Sequence, residues 1–201
     1  MLDQFKDPEL AKLFDIDGDD KADLYGCESG WGCERVQVHQ MEAYGLNDTV
    51  DLKQGGYFAI IPDAIERIKA GKPTLYYTWT PLWLSGILRP GHEVVWLNVP
   101  FTSLPGERAE DSDTTVEGLG NLGFTVNDVV VLGNTKFLDA NPAAKKYLEL
   151  MVIPIDAVNG QNMKMAEGED SDEDIRRHAE EWIAANQADF DSWVAQAMDA
   201  Q

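Results

Sequence analysis

The sequence predicts an α/β protein with a largely parallel sheet. Short runs rich in β-branched and aromatic residues alternate with segments of helical period, which is typical of strands joined by helical crossovers. The chain has 201 residues, 44% of them hydrophobic, which is enough for one good core or two small lobes. Its apolar runs fall well short of the roughly 20 residues that a membrane-spanning helix needs.

The expected elements follow one another with recognisable end signals. The first is a helix over 7–14, with Asp7 as N-cap and Pro8 as the first helical residue. The other expected helices cover 34–45, 57–71, 81–88, 141–154, 154–168 and 171–200. The expected strands cover 49–55, 74–80, 93–101 and 124–134.

A polar, glycine-rich stretch at 106–123 is the predicted linker or hinge region. Residues 1–105 are the predicted ligand-binding lobe, an α/β lobe that carries a disulfide loop. Residues 124–201 are the predicted C-terminal, mostly helical part of a second lobe. Because that part contains a single convincing strand, either it packs on the first lobe or other strands of its sheet are missing.

Charge is the strongest feature of the composition, with 36 acidic against 16 basic residues and a net charge of -20. Binding of nucleic acid through its phosphates needs clustered lysine and arginine, so the composition excludes that class of partner. An anionic membrane surface would also repel the chain. Most of the acidic residues are interpreted as keeping the protein in solution, and a preference for cations is the alternative.

The segment "GCESGWGCERV", residues 26–36, holds both cysteines of the chain, Cys27 and Cys33. A pair six residues apart can close a small disulfide loop if the backbone doubles back. Redox or metal chemistry is the alternative, but the spacing is not C-x-x-C and no histidine lies nearby. A structural disulfide, and with it an oxidising compartment, is therefore preferred, although the chain as given begins without an export signal.

Trp31 and Trp79 are the candidate ligand-binding side chains. Trp31 lies in the cysteine loop between glycines, and Trp79 lies at the carboxyl end of an expected strand, where α/β proteins bind ligands. Facing indoles suit a quaternary ammonium, which takes no hydrogen bonds. Gly32 and Cys33 precede a helix starting near Glu34, so their amides can hold an anion, with an ordinary helix cap as the equal alternative.

The segment "DIDGDDKAD" partly matches a calcium loop. Asp15, Asp17, Asp19 and Asp23 occupy the first, third, fifth and ninth positions, but the twelfth position is Gly26 and not glutamate. A solvated acidic turn is the favoured interpretation, and a structural calcium ion that braces the neighbouring loop is the alternative. No histidine has a serine, cysteine or aspartate in a nucleophile arrangement, so we expect no enzyme.

Three segments together resemble the glycine betaine/proline betaine-binding proteins of bacterial ABC osmoprotectant importers. They are "LFDIDGDDKADLYGCESGWGCERVQVHQMEAYGL", "GKPTLYYTWTPLWLSGILRPGHEVVWLNVPFTSLPGE" and "NPAAKKYLELMVIP". The resemblance implies a periplasmic-binding-protein-like fold of type II, with two α/β lobes that close on the ligand. It implies that Trp31 and Trp79 wall the ammonium, that Gly32 and Cys33 supply amides to the carboxylate, and that Cys27 pairs with Cys33.

The resemblance also implies a partial protein. Family members carry an N-terminal segment with a signal peptide, most of the other lobe, a further box tryptophan and a histidine that contacts the carboxylate. One lobe is therefore expected to be largely complete and the second partial. Implied partners are a betaine and the permease and ATPase subunits of an importer. Either a separate N-terminal lobe or a second copy of the chain is the candidate to complete the site. The alternative is a calcium-stabilised fragment or interaction module that does not bind betaine.

Overall fold

The computed structural model describes residues 1–106 and 113–200. Its contacts define two compact units: Met1–Trp79 with Leu88–Asn127, and Thr80–Ile87 with Asp128–Gln201. Of the predicted linker, residues 107–112 lie outside the described residues, and 113–123 belong to the first unit. The two units are defined by their internal contacts alone, so they do not test the predicted division into two lobes at 106–123. That division stays a prediction.

A parallel sheet lies at the centre of the first unit and confirms the predicted fold class. The strands are β1 (Ala22–Tyr25), β2 (Val50–Lys53) and β3 (Leu75–Tyr76). Strand β1 is the middle strand and pairs in parallel with both neighbours, so Leu24 lies beside Leu52 on one side and Leu75 on the other. The carboxyl ends of all three strands therefore meet at one edge of the sheet.

The helices of the first unit are α1 (Pro8–Ala11), α2 (Gly32–Ala43) and α3 (Tyr57–Lys69), with 3-10 turns at Leu2–Lys6 and Lys12–Phe14. The Asp7 carboxylate accepts the Glu9 amide at 3.0 Å, which is the predicted cap of α1. Helices α2 and α3 connect successive parallel strands, and the connection by α3 between β2 and β3 is the one that the alternation of patterns predicted. Gly45 and Gly71 follow these helices with φ of 64° and 70°, a conformation that glycine adopts without steric cost.

Side chains of the three strands, of the N-terminal turns and of the C-terminal end of α2 contribute most of the core of this unit. Every residue of β1 is buried, as expected for a middle strand covered on both faces. The core cluster consists of Phe5, Ala11, Ala22, Leu24, Met41, Tyr44, Leu46, Val50, Leu75 and Val99.

Asp23, in the middle of β1, has no exposed surface and lies in register with Asp51 of β2. Two carboxylates opposite each other on neighbouring strands repel unless a cation lies close. Lys53 provides that cation, because its Nζ lies 2.9 Å from Asp23 Oδ1 and 2.6 Å from Asp17 Oδ2. The other Asp23 oxygen accepts the Ile16 amide at 2.6 Å, so both carboxylate oxygens have a partner.

Two of the predicted strands were wrong, and the other two are shorter than predicted, at Val50–Lys53 and Leu75–Tyr76. Strand β1 was not predicted, because an acidic turn was expected up to its middle.

Residues 93–101 form only an isolated bridge between Pro90 and Val94, and 124–134 form no regular element. Val129 and Leu132 are 80% and 90% exposed. Apolar, β-branched composition shows that a segment suits a sheet, but a strand also needs a continuous ladder with a neighbour. Residues 93–101 make only isolated backbone bonds, such as Val99 N to Asn121 O at 2.9 Å, and 124–134 pair with no strand in the described chain.

A short hairpin follows residue 113 in the first unit. Its strands are β4 (Thr115–Val116) and β5 (Gly120–Asn121). The fully buried Thr114 hydroxyl lies 2.8 Å from the hydroxyl of Thr102 and 2.6 Å from the side-chain oxygen of Asn121. This buried polar network holds the hairpin to the rest of the unit.

The second unit is helical in its described residues. Its helices are α4 (Leu84–Ile87), α5 (Thr135–Ala140), α6 (Pro142–Leu150), α7 (Ile155–Ala166), α8 (Asp172–Ala185) and α9 (Gln187–Met198). Ser171 accepts the Asp174 amide at 3.2 Å, which confirms the predicted cap of α8. The single helix expected over 171–200 is interrupted at Asn186. Among the described residues, no helix is long and apolar enough to cross a membrane.

Candidate functional site

The cysteine loop begins directly after β1, at the carboxyl edge of the sheet. Cys27 and Cys33 form a disulfide with their Cα atoms 5.9 Å apart, which confirms the predicted bridge. Cys27 is fully buried, and its amide donates to Gln37 Oε1 at 2.7 Å. The base of the loop is therefore fixed to helix α2 by one covalent bond and one buried hydrogen bond.

The tip of the loop is a tight turn that presents Trp31. Gly30 has φ of 93°, and its amide donates to Glu34 Oε2 at 2.6 Å. The Trp31 amide donates to the Glu28 carbonyl at 3.1 Å, which closes the turn. Gln54 donates to the other Glu34 oxygen at 3.0 Å, so the glutamate joins the loop to the segment after β2.

Helix α2 begins within the loop, because Trp31 is its N-cap and Gly32 its first residue. An indole cannot cap a helix, and no side-chain cap is formed. In the part of the chain that the structure describes, neither the Gly32 nor the Cys33 amide has an acceptor. A Cβ placed on Gly32 would meet no atom within 4 Å, so there is open space beside this backbone. The arrangement provides two unpaired donors at the positive end of a helix dipole.

The two tryptophans singled out from the sequence lie together. Trp79 follows β3 at the carboxyl edge of the sheet, and its ring centroid is 5.7 Å from that of Trp31, with the planes at 74°. Both side chains are half-buried, so part of each indole is open to solvent. Two indoles at a steep angle form an aromatic corner.

Sequence reasoning missed two tyrosines of this aromatic cluster. Tyr57, the first residue of α3, has no exposed surface, and its ring centroid lies 5.0 Å from Trp79 and 6.0 Å from Trp31. Tyr77 lies 5.8 Å from Trp79 and 5.3 Å from Phe124. Tyr77 is two residues before Trp79, and that spacing in extended chain was an available signal. No comparable signal marked Tyr57.

Neutral rings and carboxylates dominate the electrostatics around the loop. Burial raises the pKa of Tyr57 and of Tyr77, so both phenols stay protonated at neutral pH. The Glu28 carboxylate accepts the Tyr57 amide at 3.1 Å. Electron-rich ring faces together with nearby carboxylates favour a cationic group over a neutral one.

The acidic turn before β1 divides the four aspartates of the predicted calcium loop. Oxygen atoms of Asp15, Asp17 and Asp19 lie within 4.8 Å of one another. Asp15 already accepts the amides of Gly18 and Asp20, at 2.7 and 2.9 Å. Asp23 is fully buried instead and pairs with the Lys53 ammonium described above. Calcium at this turn stays a prediction.

A family model described as "Substrate binding domain of ABC-type glycine betaine transport system" matches residues 2–185. A substrate-binding domain of a transport system is the class to which the mixed α/β fold with its parallel sheet corresponds. The chain belongs to this glycine betaine transport family, which has the type II periplasmic-binding-protein fold, and the predicted family is confirmed.

Three curated relatives are similar over nearly the whole chain. The glycine betaine-binding periplasmic protein OusX of Dickeya dadantii is 51% identical over 193 residues, which are 96% of this chain and 58% of that protein. Glycine betaine/proline betaine-binding periplasmic proteins of Salmonella typhimurium and Escherichia coli are each 48% identical over 198 residues, 98% of this chain. The match covers 60% and 59% of those two proteins, so the chain spans about three fifths of its relatives' length.

Proposed function

We propose that the chain binds glycine betaine or a closely related betaine as the substrate-binding component of an ABC importer. The observation that carries the proposal is one loop that combines a cation wall with an anion cradle. Trp31 forms an aromatic corner with Trp79, and the next two residues, Gly32 and Cys33, present unpaired amides. The names of the curated relatives support this choice of ligand.

The corner suits the trimethylammonium end of a betaine. A cation within about 6 Å of an indole centroid is attracted by the ring face. Because the Trp31 and Trp79 centroids are only 5.7 Å apart, one ammonium can lie within that range of both. A quaternary ammonium donates no hydrogen bonds, so it leaves no donor unpaired against an aromatic surface, whereas a lysine ammonium would leave its donors unpaired.

The first turn of α2 suits the carboxylate end. Two amides and the helix dipole stabilise an anion at this position, and charge-assisted hydrogen bonds are among the stronger polar contacts in proteins. The amides belong to Gly32 and Cys33, directly after Trp31 in the chain. That adjacency matches a ligand whose opposite charges are separated by a single methylene group.

The remaining parts of the proposal follow from the ligand and the family. Capture of a betaine breaks no bond, so the proposed role needs neither a catalytic group nor a cofactor. The relatives are named as periplasmic proteins, and the disulfide is compatible with that oxidising compartment. The proposed partners are the permease and ATPase subunits that receive and translocate the ligand.

Calorimetric titration with glycine betaine, comparing Trp31→Ala with Phe58→Ala, tests the proposal. Phe58 is the matched control, since it is an aromatic residue beside Tyr57 that is 53% exposed and belongs to neither wall. Loss of one indole wall is expected to weaken binding roughly 30-fold. Equal affinities of Trp31→Ala and the unaltered chain would overturn the proposed cation wall.

A further inference from the structure

Tyr57 connects the two segments that carry the tryptophans. Its amide donates to Glu28 Oε2 at 3.1 Å, and Glu28 belongs to the loop that presents Trp31. Its hydroxyl donates to the Tyr77 carbonyl at 2.9 Å, two residues before Trp79. The ring between these two ends has no exposed surface. One residue, through its amide and its side chain, thus links the cysteine loop to the end of β3.

Glu28 holds the loop end of this connection. The N-cap of α3 is Gly56, which has no side chain to cap the helix. The Glu28 carboxylate takes that role from outside the helix by accepting the first helical amide, where negative charge is favoured. The Glu28 carbonyl also accepts the Trp31 amide at 3.1 Å, so the same residue contacts both the indole segment and α3.

We propose that Glu28 and Tyr57 are positioning residues that set the separation and angle of the Trp31 and Trp79 indoles. They form a spacer, defined as the Glu28 carboxylate, the amide and side chain of Tyr57, and the Tyr77 carbonyl. The spacer acts through the tryptophans and not by contact with the ligand. Its consequence for affinity rests on the proposed betaine site, whereas its effect on the indole geometry does not.

The Tyr57 end of the spacer has a matched control in the same unit. Tyr44 is 1% exposed, and its hydroxyl donates to the Phe101 carbonyl at 2.8 Å. Tyr57→Phe and Tyr44→Phe therefore each remove one partly buried hydrogen bond from a phenol to a backbone carbonyl. Loss of folding stability is expected to be similar in both variants. Only Tyr57→Phe is expected to change the distance and angle between the Trp31 and Trp79 indoles.

The direct readout is the exciton signal of the indole pair in the circular dichroism of the complete ligand-free chain. Its assignment is made by its loss in Trp79→Phe. A signal altered in Tyr57→Phe and retained in Tyr44→Phe supports the spacer. A signal unchanged in Tyr57→Phe overturns it. Glycine betaine affinity is expected to fall roughly fivefold in Tyr57→Phe alone, about the worth of one hydrogen bond.

The Glu28 end is tested by rescue. Glu28→Gln keeps an oxygen that can accept the Tyr57 amide, whereas Glu28→Ala removes it. Retention of the exciton signal in the glutamine variant and its loss in the alanine variant support the spacer, and equal signals in both overturn the role of Glu28. If glycine betaine does not bind the unaltered chain while Tyr57→Phe changes the signal, the spacer stands and the proposed function fails.

Discussion

Trp31 and Trp79 lie with their ring centroids 5.7 Å apart and their planes at 74°, although one belongs to the loop after β1 and the other follows β3. The parallel sheet produces this proximity, because β1 and β3 are neighbours and both strands end at the same edge. The disulfide loop then turns one indole towards the other. The corner is thus a product of sheet topology and of a local covalent constraint.

The disulfide is expected to stabilise both the fold and the corner. Replacing Cys27 and Cys33 by serine removes a cross-link over a short loop, and the free energy of unfolding should fall by about 2 kcal/mol. Urea unfolding of the oxidised chain and of the double variant measures this difference. A variant that unfolds at the same urea concentration as the oxidised chain would show that the loop holds its shape without the bridge.

Loss of the Lys53 ammonium is expected to destabilise the sheet. Lys53→Met leaves the fully buried Asp23 carboxylate without its cation, which should cost roughly 2–4 kcal/mol. The expected loss is at the low end of what breaking a buried ion pair costs, because the Lys53 side chain is 35% exposed.

Lys69→Met is the matched control for Lys53→Met. Lys69 pairs with Glu66 on the surface of α3, where both side chains are more than half exposed. Its loss should cost less than about 1 kcal/mol. Equal costs in the two variants, measured by urea unfolding, would show that the Asp23–Lys53 pair is no stronger than a surface pair.

Stability is expected to fall in alkali. Burial raises the pKa of Tyr44 and of Tyr76 to about 12, and burial beside Asp63 does the same for Tyr25, compared with 10.0 for an exposed tyrosine. Between pH 10 and pH 12, these tyrosines release their protons in the unfolded chain but keep them in the folded protein. Rising pH therefore favours unfolding, and the contribution is fully present only below pH 10.

Urea unfolding at a series of pH values from 8 to 12 measures this dependence. Tyr44→Phe should make the decline in stability shallower, because it removes one of the tyrosines whose pKa is raised in the folded protein. A decline of unchanged slope in Tyr44→Phe would contradict the assigned cause.

The amide cradle predicts selection for a carboxylate. Choline keeps the trimethylammonium group of glycine betaine but carries a hydroxyl where the betaine has a carboxylate. Without that anion, the charge-assisted bonds to Gly32 and Cys33 are lost, and affinity should fall at least about tenfold. Competition between choline and labelled glycine betaine measures the ratio. Equal affinities would assign recognition to the rings alone.

The carboxyl-edge site could be predicted because its signals are local. Two cysteines six apart, a tryptophan between glycines, and a helical pattern starting just afterwards define the loop without knowledge of the fold. Trp79 was identified from its place at the end of an expected strand. Tyr57 could not be found in this way, because its place in the aromatic cluster depends on hydrogen bonds to two segments that are distant in the sequence.

The strand errors have a related cause. Residues 124–134 contain a run of valines with high strand propensity, yet Val129 is 80% exposed and the segment has no sheet neighbour in the described chain. Propensity is a property of a segment, whereas a sheet is a property of pairs of segments. Aspartate is a residue type that disfavours a buried strand, yet Asp23 lies in one. Its presence there is explained by the Lys53 ammonium on the neighbouring strand, which the local sequence does not reveal.

Calorimetric titration of the 201-residue chain with glycine betaine and, separately, with glycine tests the central claim most directly. Glycine has the same carboxylate and chain length but carries an ammonium without methyl groups. The predicted result is saturable heat with glycine betaine and affinity for glycine at least about 100-fold weaker, since glycine would leave its ammonium donors unpaired in the aromatic corner. Equal binding of both ligands, or no saturable heat with glycine betaine, would contradict the account.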